Sequence, residues 1–93
     1  MSAYVTMFKY TGPTKGGGPE RFKMVQQIVA EANGKILHVY GLLGAYDIIA
    51  VTEFPDNRAA MKAAAKIGNL INAQTHTMAA VEQDDFLQLL TEL

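Results

Sequence analysis

Residues 41–56 have the sequence GLLGAYDIIAVTEFPD. This stretch predicts the end of one strand, a glycine turn, a second strand over 46–54 and the start of a helix. Gly44 is expected to take a positive φ in the turn, because a residue without a Cβ adopts that conformation freely. Pro55 ends the strand and Asp56 can cap the helix that follows. The stretch indicates an architecture and identifies no reaction.

The flanking sequence predicts the other elements through alternating apolar residues in strands and i, i+3, i+4 spacing in helices. Further strands are predicted over 3–10, 35–43 and 72–81, and helices over 19–33, 57–70 and 82–93. A surface loop over 11–18, rich in glycine, joins the first strand to the first helix. The order is that of an α+β, ferredoxin-like βαββαβ fold with a C-terminal helix, forming a single domain over 1–93.

Two helices of this fold cover one face of the sheet, and alternation assigns an apolar and aromatic set of residues to the other face. That set is Tyr4, Thr6, Phe8, Tyr10, Ile36, His38, Tyr40, Tyr46, Ile48, Ala50 and Thr52. Such a face is unstable in water, and two-fold packing against a second copy would bury it. We therefore expect a homodimer or a higher homo-oligomer.

Composition limits the remaining partners of this 93-residue chain. A net charge of -1 argues against nucleic acid, which requires a basic surface. The chain has no cysteine, which excludes disulfides and thiolate sites. Residues 1–5 lack the features of a signal peptide, and no apolar run reaches membrane-spanning length. We expect a cytoplasmic protein that does not contact membranes.

The element order and the turn at 44–47 together resemble the GYD-domain family of small, mostly bacterial proteins. The resemblance covers nearly the whole chain, and its specific part is the run 44–56. Its other matches are Tyr4-Val5, Gly34-Lys35 and Thr75-His76-Thr77. The resemblance implies a ferredoxin-like domain that pairs as a dimeric α/β barrel, and the family is also similar to the effector-binding domain of Lrp-type regulators. The long loop at Gly16-Gly17-Gly18 departs from the family pattern.

Tyr46 and Asp47 start the third strand on opposite faces. In a structural interpretation, Asp47 accepts hydrogen bonds from backbone N–H groups of the turn and Tyr46 packs between subunits. In a functional interpretation, Tyr46 lines a cavity and offers its hydroxyl to a ligand.

The chain has 2 histidines, His38 and His76, on the strands predicted at opposite edges of the sheet. They cannot share a metal ion within one subunit, and no third ligand has suitable spacing, so we predict no metal site and no cofactor. His38 shares a face with Tyr40 and is expected to point into the layer between paired sheets. It is either a hydrogen-bonded interface residue or a general base.

Two functions remain open. The first is a self-associating module for small-molecule binding or assembly, with His38, Tyr40, Tyr46, Asp47, Thr75 and Thr77 as candidate ligand-binding residues. The alternative, which the resemblance to dimeric α/β barrels implies, is a small cofactor-independent enzyme, similar to a monooxygenase or isomerase. His38 would then be the base, Tyr46 the hydrogen-bond donor and Asp47 the orienting group. The sequence favours the first, because it shows no nucleophile–base pair and no paired carboxylates.

The helix predicted over 82–93 is an addition to the βαββαβ unit. It has an apolar edge and an acidic start, and so short a helix is unstable in isolation. We expect it to dock on a neighbouring subunit rather than over its own sheet.

Overall fold

The computed structural model describes residues 1–13 and 17–93, so part of the predicted loop over 11–18 lies outside the described residues. The elements are β1 (Ser2–Tyr10), α1 (Gly18–Glu31), β2 (Lys35–Gly41), β3 (Ile48–Phe54), α2 (Asn57–Ile71), β4 (Ala73–Ala80) and α3 (Gln83–Thr91). The strands form one antiparallel sheet in the order β2-β3-β1-β4. The predicted α+β, βαββαβ fold with a C-terminal helix is confirmed.

Local sequence explains where α1 and α2 begin and end. The Asp56 carboxylate accepts a hydrogen bond from the Ala59 backbone N–H at 2.8 Å, which confirms the predicted cap of α2. Asn33 and Asn72 follow the two helices with φ of 59° and 58°. Asparagine tolerates this left-handed conformation better than most residues, and it reverses the chain after a helix.

Two glycines are required by the backbone around β2 and β3. Gly44 has a φ of 118°, which confirms the positive φ predicted for the turn. Gly34 lies against the core, where a Cβ would come within 2.6 Å of the Phe54 ring. The first glycine therefore permits a turn conformation, and the second permits close approach of the chain to an aromatic side chain.

The hydrophobic core lies between the sheet and the pair α1 and α2, on what we call the covered face of the sheet. Its buried members are Tyr4, Phe8, Val29, Phe54, Ala60, Ala63, Ile67 and Ile71. The sequence-based assignment of Tyr4, Thr6, Phe8 and Tyr10 to the uncovered face was therefore wrong. It was also wrong for the β3 residues paired with that row, since Thr52 is buried and Ile48 and Ala50 pack against the core. Alternation separates two faces of a strand without saying which one the helices cover.

A β-bulge in β2 explains why His38 and Tyr40 nevertheless lie on the uncovered face. Ile36 pairs with Thr52, but the next paired residue of β2 is His38, opposite Val51. The extra residue, Leu37, reverses the parity of the strand. Ile36 therefore packs towards the core, contrary to the prediction, while His38 and Tyr40 have the predicted orientation.

The uncovered surface of the sheet, here called the open face, is mostly apolar and also carries the two histidines. Its main residues are Val5, Met7, His38, Tyr40, Ile49, Val51, His76 and Met78. Tyr40 is 56% exposed and Met78 is 45% exposed. Helices α1 and α2 pack on the other face, with the core. The association predicted from the sequence therefore has a surface available, although its residues are mostly not those predicted.

No Cα atom of helix α3 lies within 8 Å of a Cα atom of another described helix or strand. Its apolar side chains are about half exposed, with Phe86 at 49%, Leu89 at 47% and Leu90 at 44%. A helix of 9 residues has little stability by itself, so it needs an external surface. Docking on a neighbouring subunit, as expected from the sequence, stays a prediction.

Deleting Phe86–Leu93 is expected to lower the oligomeric state while the sheet remains folded, because none of the deleted residues belongs to the hydrophobic core. Light scattering would measure the assembly and circular dichroism the fold. Leu90→Ser should weaken the assembly in the same way, whereas Gln88→Ser, a matched change on the same helix, should not. An assembly of unchanged mass after the deletion would contradict docking on a neighbour.

Replacing Gly44 with valine is expected to lower the free energy of unfolding by about 1–3 kcal/mol, because a β-branched residue is strained at positive φ. A Cβ at this position meets no atom within 4 Å, so the strain is conformational rather than steric. Urea unfolding would measure the loss. Gly41→Val is the matched control, because Gly41 has equally open space and no positive φ. Equal stability of the two variants would show that the turn does not depend on glycine.

Candidate functional site

Asp47 links the ends of three segments through its backbone and its side chain. Its N–H donates to the Phe8 carbonyl at 2.9 Å, and its carbonyl accepts from the Leu42 N–H at 2.8 Å. Its carboxylate oxygen Oδ2 accepts a hydrogen bond from the Tyr10 N–H at 2.8 Å. The sequence predicted a carboxylate that accepts from the turn, whereas the donor belongs to β1. Asp47 thus satisfies the last N–H of β1, beyond the point where its pairing with β3 stops.

Tyr46 packs against His76 on the side of the open face. The ring centroids are 5.5 Å apart and the rings are nearly perpendicular, at 83°. His76 pairs with Met7 and is exposed, as expected for a residue on the edge strand β4. The contact means that Tyr46 extends over β1 to reach β4. Spacing along the chain carries no signal for this pair, because the strand order brings the two residues together.

His38 stacks on Tyr40 at the opposite edge of the sheet, with ring centroids 6.1 Å apart and an interplanar angle of 16°. The three residues of the enzyme alternative therefore have separate partners within one chain. His38 contacts Tyr40, Tyr46 contacts His76, and Asp47 binds the backbone of β1. Their joint catalytic role stays a prediction.

Thr75 and Thr77 lie on the covered face rather than beside His38 and Tyr40. Thr77 Oγ1 is 3.0 Å from Thr6 Oγ1, a hydrogen bond between β4 and β1. The methyl group of Thr75 lies close to Gly68 of α2, where a Cβ would approach it to 3.1 Å. The structure therefore divides the predicted ligand-binding residues between the two faces of the sheet.

A cavity of about 210 Å³ separates α1 and α2 from the covered face, in a place for which the sequence-based prediction had no site. Phe8, Ile48, Ala50 and Phe54 are among its sheet residues, and Val25, Val29, Ala64 and Ile67 are among its helix residues. Tyr10, Arg21 and Phe22 line it at positions that are partly open to solvent. The space is therefore apolar inside, with a mixed entrance near the start of α1.

Small side chains explain the cavity. Ala60 and Ala64 of α2 and Ala50 of β3 line the same space. An alanine side chain ends at Cβ and cannot reach across the gap between a helix and a sheet. Helix α1 contributes a single fully buried residue, Val29, in the range Gly18–Glu31. The alanines along this part of the sheet therefore leave space, although α2 is buried at Ala60, Ala63 and Ala64.

The described residues contain no group of three or more His, Asp or Glu side chains that could hold a metal ion. A search of the same residues for a helix long and apolar enough to cross a membrane finds none.

Comparisons with known proteins place the fold. The sequence model of a family described as the GYD domain matches residues 4–90. No curated protein matches the chain. A feast or famine regulatory protein from Mycobacterium tuberculosis, complexed with L-methionine, is similar with 12% identity and a TM-score of 0.67, over 89% of this chain and 52% of that one.

Two further solved structures differ in length. An AsnC family transcriptional regulator from Agrobacterium tumefaciens has 19% identity and a TM-score of 0.53, over 88% of this chain and 52% of that one. A protein from Thermus thermophilus has 19% identity and a TM-score of 0.56, over 88% of this chain and 95% of that one. The chain thus spans about half the length of the two regulators and nearly all of the Thermus protein. At these identities the similarity shows the fold alone.

Asp47→Ala is expected to lower the free energy of unfolding by about 0.5–1.5 kcal/mol, the usual net contribution of one such hydrogen bond. The Tyr10 N–H then loses its acceptor, and because this hydrogen bond is exposed, water replaces part of it. Asp47→Asn keeps an acceptor oxygen in the same place and should lose less. Urea unfolding of the two variants beside the wild type would measure the difference. Equal losses would mean that the side-chain hydrogen bond is not the stabilising contact.

Proposed function

This chain belongs to the GYD domain family, and on that premise we propose that it is a self-associating module that binds a small molecule. The observation that carries the proposal is the open face, an apolar sheet surface on the side away from the core, where Tyr40 is 56% exposed and Met78 is 45% exposed. Soluble proteins rarely leave such a continuous surface in contact with water.

Self-association follows from the distribution of residues on the open face. Val5 and Met7 of β1 lie at its centre and pair with Val51 and Ile49 of β3. On β4, Val5 pairs with Met78 and Met7 pairs with His76. Lys35 and Glu53 pair with each other at one end of β2 and β3, so polar groups lie at the margin rather than the centre. An apolar centre with a polar rim is the usual arrangement of an interface. Two-fold packing of this face on itself forms the dimeric α/β barrel that we propose.

The small-molecule part of the proposal has two supports. A regulator with the same fold, from M. tuberculosis, is described as complexed with L-methionine. In addition, His38, Tyr40 and Tyr46 present rings with hydrogen-bonding groups on the open face. Packing of two sheets brings the aromatic pairs of both copies into one layer, where we propose that they contribute to ligand binding, with Asp47 holding Tyr46 in place.

The proposal predicts that Tyr40→Asp dissociates the assembly without unfolding the chain. Tyr40 is largely exposed in the single chain, so a carboxylate there costs little until a second copy buries it. Light scattering at micromolar concentration would measure the mass, and circular dichroism the fold.

The matched control is Met61→Asp, because Met61 is 68% exposed on α2, away from the open face. It should leave the assembly intact. Phe8→Asp should instead unfold the chain, because Phe8 is in the core. A wild-type protein that is monomeric at every concentration would contradict self-association, and equal dissociation by both surface variants would contradict the open face as the interface.

A further inference from the structure

We propose that the cavity between α1, α2 and the covered face is a binding site for a small carboxylate with an apolar body, such as a short aryl-alkyl acid. The inference goes beyond the proposed function, because it adds a second ligand site on the opposite side of the sheet from the open face. It does not require self-association.

The volume of the cavity limits the size of the ligand. At about 210 Å³ it is larger than the apolar cavity of roughly 150 Å³ that stays dry and accepts benzene. It is smaller than the approximately 300–1,000 Å³ typical of sites for drug-sized molecules. A single aromatic ring with a short side chain fits between these limits.

The interior wall of the cavity favours a ligand whose buried part is apolar. Thr6 lines the cavity, but its hydroxyl is already hydrogen-bonded to Thr77 at 3.0 Å. The hydroxyl of Thr52 donates to the Tyr4 carbonyl at 3.4 Å. Among the described residues, no buried side-chain nitrogen or oxygen lacks a hydrogen-bond partner. A polar group on the ligand would lose its water inside this wall without gaining a partner, which is unfavourable.

The entrance supplies the polar end of the site. Arg21 is the one charged side chain among the described residues that line the cavity. Arg21 is the fourth residue of α1 and precedes Phe22, which is 41% exposed. Tyr10, at the end of β1, lines the cavity with its ring and is 36% exposed. A guanidinium matches the geometry of a carboxylate and remains charged at all ordinary pH values. A ligand with its apolar body inside can therefore keep its carboxylate at the solvent-facing end, near Arg21.

The requirement for a carboxylate can be tested with a matched pair of probes of the same size, 3-phenylpropanoate and 3-phenylpropan-1-ol. Titration calorimetry of the wild-type protein should detect binding of the acid, and thermal unfolding should shift upwards with acid concentration. The alcohol should bind more weakly. Arg21→Gln should weaken binding of the acid by about tenfold or more and leave the alcohol unchanged. Equal affinities for both probes, or an Arg21→Gln variant that binds the acid normally, would overturn the carboxylate assignment.

The location can be tested by filling the cavity. Ala64 lines the space, whereas its neighbour Ala65 is exposed on α2. Ala64→Leu should abolish binding of the acid, and Ala65→Leu should not. If Ala64→Leu does not fold, amide chemical shifts of the wild-type protein provide the same test. Addition of the acid should shift residues 21–29 and 60–67 more than the residues of the open face. Undiminished binding by a folded Ala64→Leu variant, or shifts confined to the open face, would overturn the site.

The two proposals can fail separately. Absence of any heat or thermal shift with either probe, in a protein that light scattering shows to be associated, overturns this cavity as a site and leaves self-association supported. If the protein is monomeric and binds the acid, and the Ala64→Leu variant does not bind it, self-association is overturned and the cavity is supported as the binding site.

Discussion

The rest of the structure depends on one packing constraint: two helices can cover only one face of a sheet whose central strands are apolar on both. β1 and β3 are the middle strands, and α1 and α2 lie on the side of Tyr4, Phe8 and Phe54. The buried Tyr4 is satisfied there, because its hydroxyl donates to Asn57 Oδ1 at 2.6 Å, and its ring meets Phe54 edge to face with centroids 6.0 Å apart. The other row of apolar residues, including Val5 and Val51, is left without cover.

The same constraint explains why the molecule has both a cavity and an uncovered sheet. Burial of large aromatic groups on β1 and β3 supplies much of the stability on the covered face, since each removes a large apolar area from water. The helix residues opposite are small, with Ala60 and Ala63 almost completely buried. Packing density therefore varies along the interface between the helices and the covered face. The cavity lies where Ala50 and Ala64 line the same space. Helix α3 adds nothing to this core, because none of its residues is buried.

The strand order decides where the side chains of the candidate site lie in the sheet. The ring pair of His38 and Tyr40 lies on the edge strand β2, and the pair of Tyr46 and His76 reaches the other edge. Asp47 is engaged by the backbone of β1 at the start of β3. Within one chain these groups form separate structural contacts. In the association that we propose, a second copy packed on this face would decide what surrounds each ring.

The sequence by itself determined the order of the helices and strands and the turn and capping residues between them. Gly44 and Asp56 act within a few residues of themselves, through backbone conformation or a local hydrogen bond, so their roles were visible along the chain. Tertiary structure decided which faces are buried, because alternation is symmetric and both rows of β1 and β3 are apolar. It also introduced the bulge at Leu37, which gave His38 the predicted orientation for an unpredicted reason. The contact of Tyr46 with His76 and the cavity beside Ala64 depend on distances between elements, and no local pattern encodes those distances.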